Sequence, residues 1–433
     1  MTKIITLFLI IISLVTIEYL CRPLLFYLRR NFQWLIIDKF DRMPIINKDK
    51  LDRFLVNGFD QELGWVRKPN TSAKEKIVSI GMDDEQAYKS SAYTINEKGA
   101  RLNPSHEAYP VRISTYGDSF VFSRHVEDNQ TWQWYLSKLT GTNVINFGVG
   151  NYGFDQGLLR LLREYDNNHS EIVIMGVVPE TIVRILNVWK HYTEYGNLLG
   201  FKPRYILKND QLFLVKNFIN DSSKFNKIND YISEIQRYDY FYNNKFKKDM
   251  LSFPYSLTMF KNPSRTFGLI KGLILREAAR RGLGCQKWLS LPWRLVLKRN
   301  FNICRMLYED RCAVDLFAKL IEEFSKIGQK KQFRPILLIL PYLNDLNYRK
   351  QMKKSYYSNF LEIIKNKLAI IDLTEHLYSN IDLGNLYVND FYGGHFSAKG
   401  NEFIAKIIRK ELIELSYLSN EAVSQSGVIN NLC

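Results

Sequence analysis

Cysteine is scarce, with five residues in 433: Cys21, Cys285, Cys304, Cys312 and Cys433. An odd, scattered set excludes a disulfide framework, and the absence of any C-x-x-C pair removes the commonest cysteine metal site. No other cluster of His, Cys, Asp or Glu has metal-ligand spacing, so neither a metal nor a cofactor is expected. Acidic residues are outnumbered, 44 against 60 basic, which leaves a formal charge of +16. Such an excess suits nucleic acid, anionic lipid or an acidic polymer. Zinc-finger spacing and RNP-type aromatic motifs are both missing, so no nucleic-acid partner is expected. Repeats and low-complexity tracts are absent too. A hydrophobic content of 46% excludes wholesale disorder. The length allows one large domain plus an insertion, or two domains.

What is present begins with an apolar run. From Ile4 to Ile17 every residue is apolar or a small hydroxyl; Glu18 interrupts, and Leu24 to Leu28 resume before Arg29 and Arg30. No A-x-A-like cleavage site follows, and the residues before Cys21 are too bulky for lipoprotein processing. Residues 1–30 are therefore expected to be an uncleaved, single-pass membrane anchor. Lys3 precedes the run and Arg22, Arg29 and Arg30 follow it, which by the positive-inside rule favours a cytoplasmic domain; signal-anchor logic favours the opposite face. Phe32, Trp34, Leu35, Ile36 and Ile37 are expected at the membrane interface.

Residues 31–110 read as linker and lead-in. From 111 strands and helices alternate. Strands are expected at Val111–Tyr116, Asn143–Phe147, Glu171–Val178, Pro335–Leu340 and Ala369–Leu373; the third is almost wholly apolar, as in a parallel sheet covered on both faces. Helices are expected at Gln130–Leu139, Asp155–Tyr165 and Ala398–Leu415. This is the pattern of an α/β fold with a doubly wound parallel sheet, built from 111–184 and 333–418. Between them, 185–332 reads as a mostly helical insertion. Its stretch Lys261–Arg305 holds eleven Lys or Arg and only Glu277 as acid.

Two segments carry chemistry. Tyr116-Gly117-Asp118-Ser119-Phe120 follows the first strand, and in doubly wound sheets functional residues sit just beyond the strands' carboxyl ends. A serine there can be a nucleophile, beside backbone N–H groups able to stabilise an oxyanion. Gly393-Gly394-His395-Phe396-Ser397 precedes the last helix, where a histidine can reach the first strand's end and serve as base. His125 could line the same pocket and His376 its rim; His106, His169 and His191 are expected on surfaces or helix ends.

These segments resemble the SGNH/GDSL hydrolase superfamily over about 59–413, the insertion apart. Gly117-Asp118-Ser119 matches its first block, Asn146 to Gly153 looks like its second, and His395-Phe396-Ser397 with Gly400-Asn401 matches its last. Glu62-Leu63-Gly64-Trp65 and Asn96 to Arg101 look like the lead-in of bacterial members linked to surface polysaccharides. The resemblance implies a flavodoxin-like fold, with Ser119 as nucleophile and oxyanion donor and His395 as base. It implies a second donor at Gly150 or Asn151. The family's asparagine after the third strand is missing from Gly176-Val177-Val178-Pro179-Glu180, and Asn187 is the nearest substitute. Its triad acid would fall on Tyr392, which leaves Asp390 or another carboxylate.

The expected activity is ester hydrolysis on an acylated glycan or lipid-linked sugar, from the bacterial inner membrane. O-acyl transfer to a surface polysaccharide is the alternative, and a non-catalytic carbohydrate-binding module the third. The basic, tryptophan-bearing insertion could also engage anionic lipid.

Overall fold

The computed structural model describes residues 2–38, 43–77, 89–380, 382–388 and 394–419. Five parallel strands form the central sheet: β1 (Val111–Gly117), β2 (Asn143–Asn146), β3 (Ile172–Val177), β4 (Arg334–Ile339) and β5 (Ala369–Asp372). Their spatial order is β2-β1-β3-β4-β5. This is the flavodoxin-like doubly wound order, whose switch point lies between β1 and β3. β3 is buried at every position, which is why it reads as one unbroken apolar run.

Helices cover both faces. One layer holds α2 (Trp132–Thr140) and α8 (Ala398–Glu414), with Trp132, Leu136, Ile404 and Ile408 packed on the sheet. The other holds α3 (Phe154–Glu164) and α7 (Arg311–Lys331), with Phe154, Leu158, Leu320 and Phe324 in a second core. The helix α7 falls within the stretch assigned to the insertion, yet it is a layer helix of the sheet. The inserted part therefore closes near residue 310. It is helical apart from an antiparallel hairpin, Arg204–Lys208 with Gln211–Val215.

The first helix, α1 (Thr2–Asn31), is long and apolar enough to cross a membrane. Its first two-thirds are exposed, whereas Cys21, Leu25 and Leu28 pack against Met259, Leu269 and Leu273 of the insertion. These come from α4 (Tyr255–Lys261) and α5 (Pro263–Arg280), which α6 (Leu291–Leu307) follows. The segment after α1 departs from expectation. Leu35, Ile36 and Ile37 are buried in protein, and Ile37 is stitched to the backbone at Asp249 and Leu251. Their apolar side chains complete the insertion's core instead of meeting lipid; Trp34 alone of the group remains more than a third exposed.

Candidate active site

The turn after β1 is set by close backbone approach. Gly117 has φ +145°, and a Cβ there would lie 2.0 Å from the carbonyl oxygen of Gly176 on the adjacent strand. Only glycine fits. The chain then rises into a turn closed by Phe122 N–H to Asp118 O (2.9 Å) and Arg124 N–H to Ser119 O (3.0 Å). Asp118 is buried and faces away from reaction. Its carboxylate accepts from the N–H of Phe120 (2.8 Å), the N–H of Val178 (3.1 Å) and Nη1 of Arg184 (3.1 Å). It pins the turn that carries Ser119 to the end of β3.

Ser119 Oγ lies 2.9 Å from His395 Nε2. These residues are 276 apart in sequence, and both are buried. The imidazole is wedged between Phe120 (centroids 4.8 Å) and His125 (5.1 Å, edge-on). His395 O accepts from Val388 N–H at 2.7 Å. Behind it, Asn401 accepts from Trp132 N–H (3.2 Å) and donates to Phe396 O and Ser397 O. The His395 segment is thus held by the start of α8 and the start of α2 together. Asp390, expected as the acid, lies outside the described residues.

The second loop meets Ser119 from β2. Gly150 faces it closely, a Cβ built there lying 4.0 Å from Ser119 Cβ. Asn151 has φ +66°, a left-handed backbone that glycine supplies and asparagine tolerates. That accounts for asparagine where the family more often has glycine. Trp65 Nε1 donates to Gly150 O at 3.0 Å. In a trans peptide the next N–H points the opposite way, so Trp65 fixes the direction of the Asn151 N–H. The lead-in motif is therefore a brace for the Gly150–Asn151 loop. The second lead-in does the same for the turn that carries Ser119. Buried Arg101 donates to Phe122 O, Ser123 O and Val126 O at 2.6–2.7 Å and to Asp128 at 2.9 Å.

Asn187 does not join them. Its Nδ2 donates to Trp189 O (2.9 Å) and to Asp239 (3.1 Å). The amide is spent on a local turn, which corrects the expectation of a third oxyanion donor. At the family's asparagine position stands Val178, whose backbone N–H already serves Asp118. Nearby Arg184 was invisible as a site residue. It bridges Asp118 and Tyr152 O with one nitrogen, and Glu180 and Tyr342 with the other. Burial opposes its charge, but Tyr342, Glu180 and Asp118 together hold it above the ordinary arginine range. His376 pairs with Glu411 of α8, away from the rim (3.2 Å). His191 is buried among Trp189, Tyr192 and Phe246, a core position and not a surface one.

The crevice holding Ser119 and His395 has two kinds of wall. One is apolar: Trp34, Trp293, Val296, Leu297 and Phe301. The other is polar: Glu180, Arg184, Thr193, Glu194, Lys245 and Asn300. Arg124 stands at the edge on Glu75 (3.0 Å). Burial disfavours the Glu75 charge, but Arg124 and Arg67 outweigh it and hold the carboxyl at about 2. Among the described residues no group of side chains could hold a metal ion.

Comparison with known proteins adds little to this geometry. No family model matches the sequence, and no curated protein matches it. Solved structures that resemble the chain include two with lipolytic descriptions. One is a lipolytic protein of the G-D-S-L family from Desulfitobacterium hafniense, at 11% identity and TM-score 0.30, covering 69% of this chain and 98% of its own. The other is a lipase/acylhydrolase from Enterococcus faecalis, at 13% and 0.32, covering 72% and 100%. At such values neither superposition bears on what the site does.

Asp345 at the crevice wall gives a pH test. It accepts from Tyr342 N–H and the Tyr356 hydroxyl, both at 2.7 Å, and burial pushes it up from 3.8 to about 7. A folded value above the unfolded one means its contribution is full below about pH 4 and is lost as pH rises to about 7. Asp345→Asn removes that loss. In thermal unfolding the variant is expected to be weaker than the parent near about pH 5 and to close the gap near about pH 8. A gap independent of pH would contradict the buried, protonated carboxyl.

Proposed function

We propose that the chain is a serine ester hydrolase of SGNH/GDSL type, held by α1 as a single-pass anchor in a bacterial inner membrane. The observation that carries this is the 2.9 Å contact between Ser119 Oγ and His395 Nε2, beside Gly150, at the switch point of the sheet. With the ring proton on Nδ1, Nε2 accepts the hydroxyl proton as Oγ attacks an ester carbonyl. The backbone N–H groups of Ser119 and of the Gly150–Asn151 loop face the developing oxyanion. Collapse breaks the C–O bond, and His395 returns the proton to the leaving alcohol. Water, deprotonated by the same nitrogen, releases the acid and restores Ser119.

The substrate we infer is an acyl ester on a glycan or lipid-linked sugar. The polar wall offers the paired donors and acceptors that hydroxyl-rich groups need. A second reading is O-acyl transfer, favoured by the aromatic wall, which limits water at the acyl-enzyme. The two differ in product: adding a sugar alcohol diverts acyl groups from free acid to new ester only if transfer operates. A fluorophosphonate probe is expected to label the full-length protein, and Ser119→Ala to abolish the label. Undiminished labelling of that variant would remove Ser119 as nucleophile.

A further inference from the structure

Two helices of the insertion lean on α1 with apolar side chains left outside. Glu18 of α1 accepts from the N–H groups of Tyr255 and Ser256, at 2.6 and 3.0 Å, and so fixes the start of α4 level with itself. Leu257 and Phe260 of α4 are 54% and 58% exposed, and Ile274 of α5 is 62% exposed. Lys261, Lys271, Arg276 and Arg280 lie on the same two helices.

The height of this group follows from α1. About 20 helical residues cross the hydrocarbon layer, so a span counted from Lys3 ends near Arg22. Glu18, and with it the start of α4, then lies about 6 Å inside that boundary at ~1.5 Å per residue. Exposed Leu257, Phe260 and Ile274 with basic neighbours suit the boundary between acyl chains and headgroups. From Arg22 to Asn31 the helix rises about 13 Å further. Trp34, three residues beyond its end, is already a wall of the crevice and meets Trp293 edge-on at 4.9 Å. The apolar wall therefore stands just outside the headgroup layer, which is about 5–8 Å deep on each side of the hydrocarbon.

We propose that α4 and α5 rest at the boundary between acyl chains and headgroups of the membrane that α1 spans. This seating presents the crevice to an ester on the polar head of a membrane-resident amphiphile. Ester bonds at the glycerol level of a phospholipid lie below its reach. The inference rests on the esterase reading and names where the substrate resides.

The test uses full-length protein in vesicles containing anionic phospholipid. Three esters are compared: an acetylated saccharide on a lipid anchor, the same saccharide free in water, and the phospholipid itself. The anchored ester is expected to turn over at least about tenfold faster than the free one, with no release of phospholipid fatty acid. Combined Leu257→Ser, Phe260→Ser and Ile274→Ser should cut that advantage by about half or more, α1 still holding the protein to the vesicle, while leaving soluble-ester turnover unchanged. A fluorophore at position 257 should be quenched by lipids carrying a quencher near the headgroup, and one at position 213 on the distant hairpin should not. Equal rates for anchored and free ester, or an unquenched label at 257, overturn the proposal. Failure of the esterase reading is a separate result: no turnover of any ester and no fluorophosphonate labelling.

Discussion

His395→Ala is expected to lower ester turnover by about a thousandfold or more while leaving the fold intact, because it removes the general base from the Ser119 hydroxyl. Two features separate this from a merely structural effect. The ring fills a slot between Phe120 and His125, whereas its fixed neighbours, Asn401 and the N-cap of α8, do not depend on it. Unfolding temperature should therefore move little. The loss should also fall on kcat and kcat/KM alike, since the proton transfer belongs to the transition state. Asp390→Asn is expected to cost less, because an acid orients the imidazole without taking the proton. If Asp390→Asn is silent and another carboxylate variant is not, the acid lies elsewhere. A His395→Ala protein with near-parental turnover would end the Ser–His reading.

The largest stability effect should come from Arg184→Met. Both faces of the guanidinium are committed, to Asp118 and Tyr152 on one nitrogen and to Glu180 and Tyr342 on the other. Asp118 is 1% exposed, so removing its cationic partner strands a charge in the interior. Breaking such a pair from one side costs about 3–5 kcal/mol. Arg184→Lys should recover little, since an ammonium cannot reach both sets of partners with a planar fork. Thermal unfolding of both variants checks this. A Lys variant as stable as the parent would mean that point charge, and not the fork, holds the turn.

Much of the frame was legible in the sequence. The strands β3 and β4 are short apolar runs, legible because burial on both faces leaves little room for polar alternation, whereas β1 and β2 carry Arg112, Ser114, Thr115, Asn143 and Asn146 and are legible chiefly from the motifs that follow them. Thr71–Ile77 pairs with Lys89–Ile95, and the first of these strands is not legible: Thr-Ser-Ala-Lys-Glu-Lys offers no apolar period, since that strand is largely exposed. The helix α7 was recognisable as a helix but was assigned to the insertion, because an amphipathic stripe does not say which surface it covers. Ser119 and His395 stood out by their local motifs. The residues that hold them did not. Trp65 acts on Gly150 across 85 positions, and Arg101 on a turn 21–25 residues away. Asn187 stands out by its residue type, and nothing in the sequence marks Arg184. The short helix Thr181–Arg184 ends between them, so one side chain enters the site and the other turns toward Asp239.

The junction of α1 with the insertion has a kinetic consequence. Leu25 and Leu28 are buried against the insertion, and Glu18 caps the start of α4. In the seating proposed above, α1 is a mast and not a leash: the crevice travels at one altitude and searches a plane. Encounter with a membrane-borne ester then becomes a two-dimensional problem. Its rate should saturate with the mole fraction of substrate in the bilayer, and diluting the vesicles in buffer should leave it unchanged.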